Sequence, residues 1–144
     1  MSKTRVLFVC TQNSARSQIA EAFLNQLAGD RFEAHSAGLE AGQLNQLVVE
    51  AMREVGVDIS KNEPKRVFDL YKRGELFAYV IAVCDKATAQ KCPVFPGLRT
   101  ETIVWSFEDP SNYTGTREEK LDRVRSLRDE IKNEVIEFIK SAED

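Results

Sequence analysis

Apolar and polar positions along this chain switch between two periods, and each switch marks an element. Val6-Leu7-Phe8-Val9 is an unbroken apolar run of strand length, as expected of a strand covered on both faces. It gives way to the polar stretch Thr11-Gln12-Asn13-Ser14-Ala15 and then to Ile19, Ala20, Phe23, Leu24 and Leu27, which repeat at helical spacing as far as a closing Gly29. Residues 32–36 alternate as a strand does and end at Ala37-Gly38. Leu44, Leu47, Val48, Ala51, Met52 and Val55 mark a second amphipathic helix, stopped at Gly56, and a short helical piece over 67–73 is capped by Gly74. Residues 77–83 form another continuous apolar run, 102–105 a last strand, and Leu121, Val124, Leu127, Ile131, Val135 and Phe138 the stripe of a long terminal helix. Strands alternating with helices predict an α/β fold, a twisted parallel sheet with helices on both faces.

The length of 144 residues suits a single domain with one real core. Charges are interspersed and sum to −3, which argues against a nucleic-acid or membrane surface and requires any anion site to be made locally. Only four apolar residues follow Arg5 before Cys10, so neither a signal peptide nor a membrane span is expected, and a cytoplasmic location is. In that compartment three cysteines are a poor structural framework, and an odd count leaves at least one thiol free.

The first strand, loop and helix carry the chemistry. Thr11, Asn13, Ser14 and Ala15 are small enough for the backbone to curl and aim successive N–H groups inward, with Cys10 at the floor and the positive end of a helix dipole beginning near Arg16. The Arg16 guanidinium can grip two oxygens of a tetrahedral oxyanion, which a lysine cannot do. Residues 11–17, with Gln12 and Ser17 included, are therefore the candidate anion-binding loop, and its positive surroundings favour a negative sulfur on Cys10. The plainer alternative is a core cysteine beside a solvated arginine.

Further along, the apolar run over 77–83 ends in Cys84 as the first strand ends in Cys10, which brings both to the carboxyl edge of a parallel sheet. A loop of about seventeen residues follows, with Cys92 on a polar stretch, and loops of that size are usually functional. Asp109-Pro110 follows the last strand, so Asp109 can overhang the same edge. His35, the only histidine, reads as a strand residue with no acid or second ligand nearby in sequence, and Lys65 and Arg66 as loop cations with at most a weak pull on an anion.

With these motifs and Ser36-Ala37-Gly38 after the second strand, the sequence resembles the thioredoxin-coupled arsenate reductases, which share the fold of the low-molecular-weight protein tyrosine phosphatases. The resemblance implies a four-stranded parallel sheet, Cys10 as nucleophile, Arg16 as oxyanion clamp, Asp109 as general acid, and Cys84 with Cys92 as the redox pair. It implies arsenate as substrate, thioredoxin as external reductant, no bound cofactor, and a monomer. Two departures stand out. Gln12 occupies a position where glycine is frequent, so strain is implied if its φ must be positive. Some members bind potassium beside the loop; Asn13, Glu21 and Ser36 match its ligands, but the aspartate expected near Arg66 is replaced, so no metal is assigned.

Two other readings use the same pocket. A phosphatase acting on phosphotyrosine needs only Cys10, Arg16 and Asp109; residues 40–44 offer no aromatic wall for a phenyl ring, though Tyr113 is a candidate. A non-enzymatic sensor of oxyanions or oxidants would consume at most stoichiometric reductant. Three cysteines favour thioredoxin, whereas a glutathione or mycothiol route could dispense with the third.

Overall fold

The computed structural model describes residues 3–83 and 101–142. Its elements are β1 (Thr4–Cys10), α1 (Arg16–Ala28), β2 (Phe32–Gly38), α2 (Gln46–Glu54), α3 (Val67–Lys72), β3 (Tyr79–Ala82), β4 (Glu101–Val104), a 3-10 turn (Pro110–Asn112) and α4 (Arg117–Ala142). The four strands form an all-parallel sheet in the order β2-β1-β3-β4. From the central β1 the chain goes to one side for β2 and to the other for β3, so the loop after β1 lies at the point where strand order reverses, the place where open α/β sheets bind ligands.

The two-residue period of β1 divides the core. Val6, Phe8 and Cys10 face a large cluster shared with Ile19, Phe23 and Leu24 of α1, Ala51 and Met52 of α2, and Leu121, Val124, Ile131 and Val135 of α4. Leu7 and Val9 face a smaller cluster with Ala37, Phe77, Val80, and Val67 and Leu70 of α3. Helices thus cover both faces, and Cys10 is on the α1 side. Phe8, Trp105, Phe138 and Tyr79 pack ring against ring across the sheet, with centroids 5.0–6.2 Å apart.

Most predicted elements form, with shifted ends. Gly29 does close α1, but with an ordinary right-handed φ of −63°, whereas Gly56 and Gly74 take the left-handed φ values of +81° and +73°. The second helix starts later than its apolar pattern because Asn45 caps it, its side chain accepting from Leu47 N and Val48 N. Leu27 and Val55, on the predicted apolar stripes, are exposed. The last strand is an edge strand exposed along most of its length. Cys84, Cys92 and the predicted loop joining them lie outside the described residues. Among the described residues no helix is long and apolar enough to cross a membrane.

His35 does have an acid nearby: Nε2 is 2.7 Å from Glu33 Oε2, two residues earlier on the same face of β2, and 3.3 Å from Arg5 Nη2. Arg5 also bonds Glu33 and Glu75 and lies over the Phe77 ring. A second ionic cluster joins α2 to α4. Arg128, buried, donates to Ala51 O at 2.8 Å and to Glu54 at 3.2 Å, and Arg125 donates to both oxygens of Glu54.

Gly38, at the end of β2, sits where no side chain fits: a Cβ there would fall 2.6 Å from Asn13 N and Glu40 O and 2.7 Å from Gln12 C, all main-chain atoms. The loop after β1 therefore lies directly on this glycine. We expect Gly38→Ala to push that loop off β2 and lower the thermal midpoint by roughly 5 °C or more in a calorimetric scan. An unchanged midpoint would mean the contact is loose.

The ionic clusters make a second prediction. The Arg125 hydrogen bonds hold Glu54 below its ordinary value of 4.5, Arg5 does the same for Glu75, and His35 followed by Arg5 for Glu33. Each carboxylate ionises more readily folded than unfolded, so its stabilisation is complete above the ordinary 4.5 and fades as pH falls through the lowered folded values. Urea midpoints should drop as pH is taken below that range, and Glu54→Gln should shrink the difference between neutral and acid midpoints. An equal acid drop in the variant would remove Glu54 from the account.

Candidate active site

The loop between β1 and α1 has its carbonyls turned outward, and each has a donor. Cys10 O accepts from Leu39 N at 3.1 Å, Thr11 O from Glu40 N at 2.9 Å, Gln12 O from Gly42 N at 2.9 Å and Ser14 O from Asn45 N at 2.9 Å. Asn13 O accepts from the Gln18 side chain at 3.0 Å. With the oxygens held against residues 39–45 and α1, the loop amides are left to face the other way. The N-cap residue of α1, Ala15, supplies no side-chain acceptor, so the first-turn amides add to an anion nest.

Only Asn13 in this loop takes a left-handed conformation, with φ of 55°, a region asparagine tolerates. Gln12 therefore carries no positive φ, and the strain considered for it is not present. Its side chain rests against Gly42, where a Cβ would meet Gln12 Oε1 at 2.6 Å.

Cys10 is buried, with its sulfur 2.9 Å from Ser17 Oγ and receiving Asn13 N at 3.2 Å. The neighbours fix how Asn13 meets Ser17. Lys65 N, a main-chain amide that can only donate, reaches Asn13 Oδ1 at 2.9 Å, and Gln18 Nε2 reaches the same oxygen at 3.2 Å. The Asn13 amide nitrogen consequently points the other way and donates to Ser17 Oγ at 2.8 Å. Ser17 accepts there and keeps its own hydrogen available to the sulfur. Gln18 is fixed in turn by Asn62, which donates to Gln18 Oε1 at 3.0 Å.

Arg16 is buried and spans to the loop after β4: Nη1 donates to Phe107 O at 3.1 Å and Nη2 is 3.6 Å from Asp109 Oδ2. Asp109 caps the 3-10 turn through Oδ1, which accepts from Ser111 N at 3.0 Å and Ser111 Oγ at 2.8 Å. The same loop is clamped to α4, where Arg123 lies 4.1 Å over the Tyr113 ring and pairs with Glu108 at 3.4 Å. Burial, and after it the Glu108 carboxylate, push the Tyr113 phenol up to about 12. Tyr113 is thus held on the α4 side and does not line the cavity at Cys10.

That cavity is lined by Cys10, Thr11, Gln12, Ser14, Ala15, Arg16, Asp109 and Ser111, and its volume is about 50 Å³. It is a small, polar space, sized for a compact ligand such as a single oxyanion. Cys10, Arg16, Asp109 and the loop are therefore brought together as the sequence suggested, while Cys84 and Cys92 lie outside the described residues. Sequence reasoning missed Ser111, Phe107, Asn62 and the main-chain part of Lys65. Only Ser111, two residues after Asp109, carried a local signal, because an Asp with a serine at that distance is an Asx-turn pattern.

Among the described residues no group of three or more His, Cys, Asp and Glu side chains is placed to hold a metal ion. Of the potassium set suggested by resemblance, Asn13 Oδ1 already accepts two hydrogen bonds. Ser36 Oγ is buried without a partner, but one neutral hydroxyl does not make a cation site. The residues do not fit that ion, and no step is assigned to it.

Residues 5–144 match the family described as low molecular weight phosphotyrosine protein phosphatase. The chain is 41% identical over 140 residues to an arsenate reductase of Bacillus subtilis, covering 96% of both chains. Among solved structures it resembles an arsenate reductase in oxidized state, with a TM-score of 0.79 and 27% identity over 96% of this chain and 98% of that one. It also resembles a thioredoxin-dependent arsenate reductase of Corynebacterium glutamicum, with a TM-score of 0.72 and 33% identity, covering 96% of this chain and 61% of the other. The chain belongs to the low molecular weight phosphotyrosine protein phosphatase family, with arsenate reductases as its relatives.

Proposed function

We propose that this protein reduces arsenate to arsenite through an arsenic adduct on Cys10 and a relay of three thiols regenerated by thioredoxin. The observation that carries the reading is the small polar cavity holding a buried thiol, a guanidinium and a carboxylate, with no aromatic side chain lining it among the described residues.

In this scheme the Cys10 thiolate, supported by Ser17 and Asn13 N, attacks arsenic. The loop amides and Arg16 hold the oxyanion, and Asp109 gives its proton to the departing oxygen, which leaves as water. Cys84 as thiolate then attacks the Cys10 sulfur. The sulfur–arsenic bond breaks with its electron pair on arsenic, so As(V) becomes As(III) and departs as arsenite, while a Cys10–Cys84 disulfide forms. Cys92 attacks Cys84, frees Cys10 as a thiolate and leaves a Cys84–Cys92 disulfide for reduced thioredoxin. Phosphorus has no comparably accessible lower state, so a phosphoryl group on Cys10 would go to hydrolysis instead.

The loop binds arsenate and phosphate alike, because both are tetrahedral oxyanions of similar charge. The later cysteines are what separate a reductase from a phosphatase, and the decisive experiment substitutes them. NADPH oxidation with arsenate, thioredoxin and thioredoxin reductase should run for many turnovers with wild type and stall after about one with Cys92→Ser. Cys84→Ser should abolish reduction and spare any hydrolysis of phosphate esters, and Asp109→Asn should slow adduct formation by roughly 10²- to 10⁴-fold. Full turnover in both cysteine variants would refute the relay, and ester hydrolysis as the sole activity would establish the phosphatase.

A further inference from the structure

Asp109 faces the cavity with its two oxygens in different surroundings. Oδ1 receives both the Ser111 amide at 3.0 Å and the Ser111 hydroxyl at 2.8 Å. Oδ2 faces Arg16 Nη2 at 3.6 Å, longer than a hydrogen bond. A carboxyl proton on Oδ1 would require the Ser111 hydroxyl to turn from donor to acceptor, whereas Oδ2 can take it with both Ser111 donors in place. Oδ2 is also the oxygen on the side of the guanidinium that is to hold the substrate.

We propose that Ser111 is a positioning residue for the reaction: its hydroxyl, together with its amide, occupies Oδ1 so that the transferable proton of Asp109 resides on Oδ2, turned toward the oxyanion. Ser111 itself lines the cavity, so its hydroxyl stands at the mouth of the anion site and not on a remote surface. The effect is on orientation. Pro110 presets the turn and the Ser111 amide holds it, but the amide fills only one lone pair of Oδ1. Without the hydroxyl the second lone pair is open, the proton divides between two oxygens, and the carboxyl group rotates more freely. This inference rests on the assignment of Asp109 as general acid.

The test is arsenite formation in a single turnover of pre-reduced enzyme, paired with inorganic phosphate binding by calorimetry. Ser111→Ala should slow arsenite formation by roughly 3- to 10-fold, the worth of one such hydrogen bond, and by more than it weakens phosphate binding. Ser111→Thr, which keeps the hydroxyl, should restore the rate. In an Asp109→Asn background Ser111→Ala should have no further effect, since it acts only through that carboxyl. The proposal is overturned if Ser111→Ala reacts at the wild-type rate, if Thr does not restore it, or if Ala slows the Asn variant equally. An Asp109→Asn enzyme at wild-type speed would be a different failure, that of the general-acid assignment itself.

Discussion

A single main-chain amide sets the polarity of the whole site. Lys65 N can only donate, and what it meets is the carboxamide oxygen of Asn13 at 2.9 Å. That fixes the amide's orientation, which makes Ser17 an acceptor and leaves its hydroxyl hydrogen available to the Cys10 sulfur at 2.9 Å. Asn13 and Ser17 are both fully buried, so breaking any link leaves a polar group without water to replace it. The surroundings of the Cys10 sulfur are therefore set by a network anchored in a loop more than fifty residues away along the chain, as well as by the helix that follows it.

The same logic explains why the loop can hold its shape with so few apolar contacts of its own. Its carbonyls are consumed one after another by residues 39–45 and by Gln18, and Gly38 lets it lie flat on the end of β2. Asn13 takes the left-handed turn that the curl requires, at a modest conformational cost that its buried carboxamide offsets. Besides these main-chain contacts, only the buried side chains of Asn13, Ser17 and Gln18, with Asn62 beside them, hold the loop among the described residues. The loop is otherwise built from main-chain donors and acceptors, which makes it rigid and suits it to an anion whose four oxygens need fixed partners.

Much of this was legible in the chain itself. The apolar run ending at Cys10, the small polar loop and the helical spacing after Arg16 are local patterns, and local patterns survive into structure as β1, the anion nest and α1. Asp109 could be placed at the right edge because parallel strands share a direction, so whatever follows β4 emerges beside whatever follows β1. The misses have a common cause. The part played by Lys65 runs through its backbone, which has no residue signature, and the contact of Gly38 with Asn13 depends on β1 and β2 pairing Cys10 against Gly38. The Glu33–His35 pair was overlooked for a different reason. Residues two apart on a strand share a face, so the spacing was informative and went unused.

In the proposed reaction Arg16 joins capture to proton transfer. A guanidinium this buried needs an anionic partner, and without substrate the nearest one is Asp109, held at 3.6 Å by the turn that Ser111 completes. The hydrogen bond from Arg16 to Phe107 O ties the cation to the loop that carries Asp109. An incoming arsenate replaces the carboxylate as the counter-charge of Arg16, because it offers two oxygens to the planar fork where Asp109 offers one at long range. The guanidinium's charge is then met by the oxyanion, and the carboxyl group is free to carry a proton brought in with it. Binding the anion and releasing the acid become one event, and the residue responsible is the one that first marked the loop as a site.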